Sequence, residues 1–457
     1  MTNCVYTRVN LNIVIVGAGE VGFNLAKSLS KEDHSITVID VNPQKCSRLQ
    51  NSIDARVIEG DGTSQRLLAG IEMEKVDYVL ALTRIDEVNL VASQMTSKMG
   101  AKHVICRLRN TEYIHKDAVV SPSDFNISYV TYPEMAAKND IEHIIKKGSE
   151  DEVHEFKDGR VNMIGFHLEA DSPLVGRTVS EIELSNPYIH HKLVLIYRED
   201  ESFIPHSETT YRKDDYIYIV AKSEEVSEVQ KMTGNPNYEI KNIMILGCGK
   251  IGRLLAKSLQ NDYNVTLVEK NESKAKDFSS KLSKTLMLSG DGLDVEFLES
   301  ESIEDIDCYI AVTENEQTNL LSSMIVKDFG VKQIIMHITT TGYHKVIKKM
   351  DSGIVISKNI SAVNEILKYI RTEQENVQIS RYEDLDVEAV ELTVREGSNY
   401  ILKNYQLSDI PKNVTLCSIL RDGEITIPNA KTEIFSGDEL LLFLKPKDIK
   451  TVESLFK

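Results

Sequence analysis

Two short apolar runs set the pattern of the chain. Ile13-Val14-Ile15-Val16 and Ile243-Met244-Ile245-Leu246 each end at a glycine cluster, and each is followed by apolar positions at helical spacing, Leu25-Ala26-Leu29 and Leu255-Ala256-Leu259. An apolar run entering a glycine turn and leaving as a helix predicts strand, tight turn, helix. A second strand follows in each case: Ile36-Thr37-Val38-Ile39 closes at Asp40, and Val265-Thr266-Leu267-Val268 closes at Glu269. Gly60-Asp61-Gly62 and Gly290-Asp291-Gly292 read as turns after a third strand. A fourth strand ends near Thr83 and near Thr313, and Val104-Ile105-Cys106 is a fifth, ending at Arg107. Strands alternating with helices predict parallel sheets of the doubly wound kind.

The same features recur at an offset of 230 residues, with a slip of one residue near the second strand, where Asp40-Val41-Asn42 matches Glu269-Lys270-Asn271. Leu25-Ala26-Lys27-Ser28-Leu29 returns unchanged as Leu255-Ala256-Lys257-Ser258-Leu259, Ala81-Leu82-Thr83 pairs with Ala311-Val312-Thr313, and Asn89-Leu90 with Asn319-Leu320. A smaller pattern of short strands and turn residues follows each copy: Leu195 to Asp200, Ile204-Pro205 and Asp215 match Ser418 to Gly423, Ile427-Pro428 and Asp438. The chain is therefore a duplication. Its boundaries read as a first large domain at 11–133, a connecting helix at 134–150 and a small domain at 151–232. A turn-rich linker at 233–240 leads to a second large domain at 241–359, a helix at 360–378 and a small domain at 379–457.

Composition narrows the function. Hydrophobic residues at 41% and charged residues at 27% describe a globular protein. With 53 basic against 70 acidic residues the net charge is -17, which argues against a nucleic-acid partner, since phosphate neutralisation needs clustered Lys and Arg. The apolar runs fall far short of the about 20 residues a membrane span needs, and the first ten residues lack a signal-peptide core. Six cysteines without paired spacing read as reduced thiols. These features predict a cytoplasmic protein.

The glycine clusters carry the chemistry. Gly17 and Gly247 would permit the tight turn, Gly19 and Gly249 would let the backbone approach a pyrophosphate, and Gly22 and Gly252 would allow close helix–strand packing. The helix N-terminus offers N–H groups to phosphate. Asp40 and Glu269 would accept hydrogen bonds from ribose hydroxyls and repel the extra phosphate of NADP. Asp61 and Asp291 fit either a contact at the adenosine end or an Asx turn. Thr83 and Thr313 lie where open α/β sheets bind ligands, although a threonine there also suits a helix cap. Arg107 suits a phosphate through its planar fork; His337 stands at the matching place in the second copy. The candidate cofactor-binding residues are Gly17, Ala18, Gly19, Glu20, Val21, Asp40, Asp61, Thr83, Arg84 and Arg107 in the first copy. In the second they are Gly247, Cys248, Gly249, Lys250, Ile251, Glu269, Asp291, Thr313 and Glu314. No catalytic or metal-ligating group is assigned.

From about residue 11 to its end the sequence resembles the RCK (regulator of potassium conductance, or KTN) family in its tandem, TrkA-type arrangement. The resemblance rests on Ile15 to Gly22, Thr37-Val38-Ile39-Asp40, Leu82-Thr83 with Asp86-Glu87-Val88-Asn89, Arg107, and the second glycine turn with Glu269. The small domains add Ser172-Pro173-Leu174-Val175-Gly176, Arg421-Asp422-Gly423 with Pro428, and Gly437-Asp438-Glu439-Leu440. It implies two Rossmann-like doubly wound parallel-sheet domains, each followed by a small α+β RCK C-terminal lobe. It also implies a nucleotide-sensing regulatory subunit of a Trk-type potassium uptake system and not an enzyme. NAD or NADH would bind its large lobes, with ATP or ADP possible at one or both. A homotetramer would form a ring controlling a potassium-transporting membrane subunit, held peripherally on the inner face of the plasma membrane through that partner. Two departures stand out: the turn Gly60-Asp61-Gly62-Thr63-Ser64 lacks the common asparagine, and His337 replaces an expected arginine.

The rival reading is an NAD-dependent oxidoreductase, which needs an acid–base group beside the nicotinamide. Its best candidate, His190-His191 beside Lys192, has no counterpart in the second copy. A nucleotide-sensing transcription factor would need a DNA-binding segment or a basic stripe, and the sequence offers neither.

Overall fold

The computed structural model describes residues 10–456 except 32–33, 116, 148–151, 158, 200, 235–239, 341–342, 344–346, 348–349, 351, 373–378, 383–386, 412 and 430. The linker at 233–240 and the end of the helix at 360–378 thus lie partly outside the described residues. The chain divides into two compact units. One joins 1–143 to 241–370 and the other joins 144–240 to 371–457. The division runs across the repeat, gathering both large lobes into one unit and both small lobes into the other.

In the first large lobe, strands β1 (Asn12–Val16), β2 (Ser35–Asp40), β3 (Arg56–Glu59), β4 (Tyr78–Ala81), β5 (His103–Arg107) and β6 (Tyr129–Thr131) form one parallel sheet in the order β3-β2-β1-β4-β5-β6. Helices α1 (Glu20–Ser30), α2 (Pro43–Gln50) and α4 (Asp86–Lys98) make the main crossovers, α3 (Gln65–Leu68) is one short turn, and α5 (Pro133–Lys147) leaves the lobe. The order reverses between β1 and β4, and a doubly wound sheet opens its ligand crevice at such a switch point. Alternate residues of β1 serve opposite faces. Ile13 and Ile15 join Leu25 and Leu29 of α1, whereas Val14 and Val16 join Leu90 and Ala92 of α4. Both faces are dry, which is why β1 reads as a continuous apolar run instead of an alternating one.

The small-lobe unit holds two five-stranded sheets. The first comprises β7 (Glu152–Phe156), β8 (Val161–His167), β9 (His191–Arg198), β10 (Glu201–Phe203) and β11 (Tyr216–Lys222), with α6 (Val179–Ser185) and α7 (Val226–Thr233) beside it. Its order, β10-β9-β11-β8-β7, is reproduced by the second small lobe described below.

The second large lobe repeats the first: β12 (Asn242–Leu246), α8 (Lys250–Leu259), β13 (Asn264–Glu269), α9 (Glu272–Ser279), β14 (Leu286–Ser289), α10 (Val295–Ser300), β15 (Cys308–Ala311), α11 (Glu316–Asp328), β16 (Gln333–His337) and β17 (Ile354–Ile356), in the order β14-β13-β12-β15-β16-β17. The helix that leaves it, α12 (Lys358–Thr372), packs into the core of the first lobe. Ala362, Val363, Ile366, Leu367 and Ile370, a stripe at helical spacing, complete the core of the first lobe against Leu11, Ile13 and Leu25. Tyr369 stacks on Tyr129 with centroids 4.4 Å apart, and the Thr131 hydroxyl donates to Glu365 at 2.6 Å.

The second small lobe contains β18 (Ile379–Tyr382), β19 (Val387–Thr393), β20 (Val414–Arg421), β21 (Glu424–Thr426) and β22 (Glu439–Leu444), with helices α13 (Asn399–Leu402) and α14 (Ile449–Phe456). The two small sheets share a core in which Phe156 meets Phe443 edge-on. In each lobe a fully buried aspartate grips an arginine with both oxygens: Asp215 holds Arg198 at 2.6 and 2.7 Å, and Asp438 holds Arg421 at 2.7 Å twice. Each pair fastens the strand before a hairpin to the turn before the last strand.

Candidate functional site

In each large lobe the strand order reverses between β1 and β4, or between β12 and β15, and that switch point places a crevice at the carboxyl ends of those strands. Gly17 and Gly247 adopt φ of +108° and +107°, and a Cβ on either would come within 2.9 Å of the backbone nitrogen of Thr83 or Thr313. Side chains rarely adopt that backbone region, so glycine is required there for both reasons. Gly17→Ala is expected to cost about 2 kcal/mol of strain, lowering the melting temperature by roughly 4–8 °C. A thermal shift assay checks this; an unchanged midpoint would mean the turn relaxes around a methyl group. The crevice side of the motif is open, since a Cβ on Gly19 would meet nothing within 4 Å. Helices α1 and α8 start at Gly19 and Gly249 with no side-chain cap, leaving the first-turn N–H groups, those of Glu20, Val21, Lys250 and Ile251 among them, for a ligand.

The carboxylates at the ends of β2 and β13 brace these turns. Asp40, largely buried, accepts from the Ala18 N–H at 2.6 Å and the Asn42 N–H at 2.8 Å, with Lys45 3.8 Å away. Glu269 accepts from the Cys248 N–H at 3.1 Å and the Asn271 N–H at 3.0 Å, and pairs with Lys274 at 2.9 Å. Burial pushes the Glu269 carboxyl up, but Asn271, Lys274 and Cys248 together hold it below the usual glutamate range. A carboxylate has about four acceptor positions, so each keeps capacity for a ribose hydroxyl.

Asp61 accepts from both the N–H and the hydroxyl of Thr63, closing an Asx turn. Asp291 accepts from the Leu293 N–H at 3.1 Å and from Lys270 at 2.7 Å. Both stand just beyond β3 and β14. Thr83 and Thr313 follow β4 and β15 by two residues, and their hydroxyls donate to Asn89 at 2.7 Å and to Asn319 at 2.6 Å. Arg84 and Glu314 are exposed at the crevice rim.

The two asparagines are the residues that sequence reasoning used only to mark the repeat. Asn89 is fully buried. Its Oδ1 accepts from the Thr83 N–H at 2.8 Å, and its amide donates to the Thr83 carbonyl at 3.1 Å and the Arg107 carbonyl at 2.8 Å. Asn319 does the same for Thr313 and His337. One amide therefore fixes the loop after the fourth strand to the end of the fifth. The signal available in sequence was the Thr-to-Asn spacing, identical in both copies.

The ends of the fifth strands carry unsatisfied groups. Arg107 Nε and His337 Nε2 are buried atoms with no hydrogen-bond partner among the described residues. Burial pushes the Arg107 pKa down, opposed by nearby Glu134. His337 is pushed down to about 4, chiefly by burial and then by Lys358, so its ring is neutral at pH 7. Glu134 in the first turn of α5 and Lys358 at the start of α12 pair at 3.3 Å, and Lys250 of the second glycine turn donates to the Arg109 carbonyl at 3.0 Å. These bonds tie the surroundings of the two crevices to each other. The free Arg107 Nε, the uncapped helix and the open side of Gly19 fit a phosphorylated ligand.

Models of the TrkA-N domain match residues 13–120 and 243–358, and models of the TrkA-C domain match 163–234 and 389–457. The chain belongs to the TrkA family. It is similar to the Trk system potassium uptake protein TrkA homolog 2 of Methanosarcina mazei, 31% identical over 98% of this chain and 100% of the relative. It is also similar to the TrkA protein of Vibrio alginolyticus, 28% identical over 98% of this chain and 99% of the relative. Among solved structures, the GsuK RCK domain matches with TM-score 0.56 at 16% identity, covering 97% of this chain and 94% of that one. The GsuK channel bound to NAD matches with TM-score 0.55 at 15% identity, covering 98% and 79%. At such identity these two establish the fold: paired Rossmann-like parallel sheets with small, largely antiparallel lobes, as in RCK proteins.

Proposed function

We propose that this chain is the nucleotide-sensing regulatory subunit of a Trk-type potassium uptake system. The observation that carries the reading is the pair of crevices, each with an uncapped helix N-terminus and a carboxylate with spare acceptor capacity at the end of the second strand, in a chain of the TrkA family along its whole length. The relatives are named as Trk potassium uptake proteins. GsuK has been solved with NAD. The ligands proposed are NAD or NADH, with ATP or ADP at one or both crevices. Gly17 to Val21 and Gly247 to Ile251 would hold the phosphates, Asp40 and Glu269 the ribose.

Ligand binding can shift an equilibrium only by its differential affinity for two states. Here closure of the Thr83 loop and Arg107 over a nucleotide would alter the Glu134–Lys358 and Lys250–Arg109 contacts that join the large lobes. A homotetrameric ring of such chains, cytoplasmic and held at the inner membrane face by a potassium-transporting subunit, would convert that change into altered flux. Among the described residues no helix is long and apolar enough to cross a membrane, so in this reading transport belongs to the partner.

Isothermal calorimetry with NAD, NADH, ATP, ADP and NADPH tests the sensor. Asp40→Ala and Glu269→Ala are each expected to weaken one crevice by about 10- to 100-fold, the scale of hydrogen bonds to a charged group, leaving the other intact. Absence of binding, or indifference to both substitutions, would sink the reading.

A further inference from the structure

The two small lobes repeat one fold, yet the faces on which they meet differ in charge. Their shared core draws on matching positions: Val161, Met163, Tyr218 and Val220 of the first sheet, and Val387, Ala389, Leu441 and Phe443 of the second. Strand register fixes the correspondence. Phe156 pairs with Val161 as Tyr382 does with Val387, and Gly165 pairs with Tyr218 as Glu391 does with Leu441. The hairpin turn 157–160 therefore matches 383–386, and Gly165 and Tyr216 match Glu391 and Glu439.

At one end of the shared core the apolar pattern stops. Glu391 and Glu439 continue the face of Ala389 and Leu441, where alternation calls for apolar side chains. Lys157 reaches them from the hairpin turn of the first lobe, 2.8 Å from Glu391 and 2.7 Å from Glu439, with its side chain only 9% exposed. Burial lowers the lysine pKa, but the two glutamates more than offset this and hold it above the usual range. Arg160 of the same turn donates to the Gly423 carbonyl of the second lobe at 3.0 Å.

The matching positions carry other charges. Gly165 and Tyr216 are neutral, and the ring covers the glycine so closely that a Cβ there would come within 2.5 Å of the phenol oxygen. In place of Lys157 and Arg160 the sequence of the second lobe has Glu383 and Asp386, which lie outside the described residues. Neighbouring charges leave this contrast standing. Lys192 acts on Cys417 of the second sheet, but it is paired with Glu183 of its own lobe at 3.0 Å. Glu155 alternates with Phe156, and Glu388 with Val387 and Ala389, so both point away from the shared core.

A buried ammonium or carboxylate without an opposite charge is strongly unfavourable. Two first lobes set face to face would leave each Lys157 with a glycine and a tyrosine. Two second lobes would leave Glu391 and Glu439 without a cation, since the sequence of their turns is acidic. We infer that Lys157, Glu391 and Glu439 form a charge key that admits only the second small lobe as partner of the first and bars pairing of like lobes from two chains. Covalent linkage then favours the partner in the same chain, and contacts between chains are left to other surfaces. The key does not depend on what the crevices bind.

Thermal scans of full-length chains test this. Lys157→Glu, and separately Glu391→Lys with Glu439→Lys, are each expected to lower the melting transition of the small-lobe unit by about 10 °C, the scale of breaking a buried ion pair in a domain of this size. All three substitutions in one chain restore opposite charges and should recover most of that loss. Partner choice is read by mixing: the Lys157→Glu chain and the doubly substituted chain, unfolded together and refolded in equal amounts, should pair across chains and melt near wild type. Should either fail to fold alone, the triple variant and the mixture still decide. Unchanged transitions, no recovery in the triple variant, or a mixture that melts as the sum of its parts would overturn the inference.

Discussion

Replacing Asn89 by leucine is expected to destabilise the large-lobe unit by about 4 kcal/mol, because each buried polar group left without a partner costs about 1–3 kcal/mol. The leucine fills similar volume but cannot accept from the Thr83 N–H and hydroxyl, nor donate to the Thr83 and Arg107 carbonyls. Asn89 is fully buried, so water cannot take over its role at the amide itself. The loss is also directional in function. With the loop after β4 untied from β5, Thr83 and Arg107 no longer hold one geometry, and nucleotide binding in the first crevice should fall well before the lobe unfolds. Asn89→Asp separates the two roles: its carboxylate still accepts from Thr83 but donates to neither carbonyl, so an intermediate loss is expected. Chemical denaturation and calorimetry on both variants check this. A leucine variant as stable as wild type would show that the loop is held by other contacts.

The contrast between Asn89 and Asp40 shows what the sequence could convey. Asp40 stands out as a candidate because its signal is local: a strand, a glycine turn and an acidic residue at a fixed spacing form the pattern that predicts a ribose contact. The fold class was legible for the same reason, since strand–helix alternation and the 230-residue offset are properties of the order of residues alone. Asn89 carried the same repeat signal, but its role depends on β5 lying beside β4, a pairing that the string of letters does not contain. Thr131 and Glu365 are 234 positions apart and Lys250 and Arg109 are 141 apart, and neither contact leaves a mark on local pattern. The same holds for α12. Its apolar stripe announces a buried face, yet the stripe is equally compatible with either sheet, and only the fold assigns it to the first lobe. In the small lobes the matched Arg198–Asp215 and Arg421–Asp438 positions were visible as a repeat at an offset of 223, while the ion pairs they form were not.

His337 should make the second large lobe acid-labile. Its pKa stands near 4 in the folded chain against an ordinary value of 6.5, with burial the main cause and Lys358 adding to it, while Glu316 and Glu134 oppose. The folded state therefore binds fewer protons than the unfolded state throughout the interval between those values. Stability is fully present above pH 6.5 and is lost as the pH falls toward 4, by about 3 kcal/mol at 1.36 kcal/mol per unit. The ring is only 8% exposed and its Nε2 has no partner, so solvent offers little screening of the charge that protonation would place there. Substituting glutamine, polar but unable to titrate, should remove this component. The stability difference between wild type and His337→Gln, followed by urea denaturation from pH 7.5 to 4, is expected to change by about 3 kcal/mol in favour of the glutamine variant on acidification. The first lobe supplies the control, since Arg107 at the matching place stays charged over the whole range. A difference that does not vary with pH would mean that His337 titrates in the folded chain at its ordinary value, burial and Lys358 being offset there by Glu316 and Glu134.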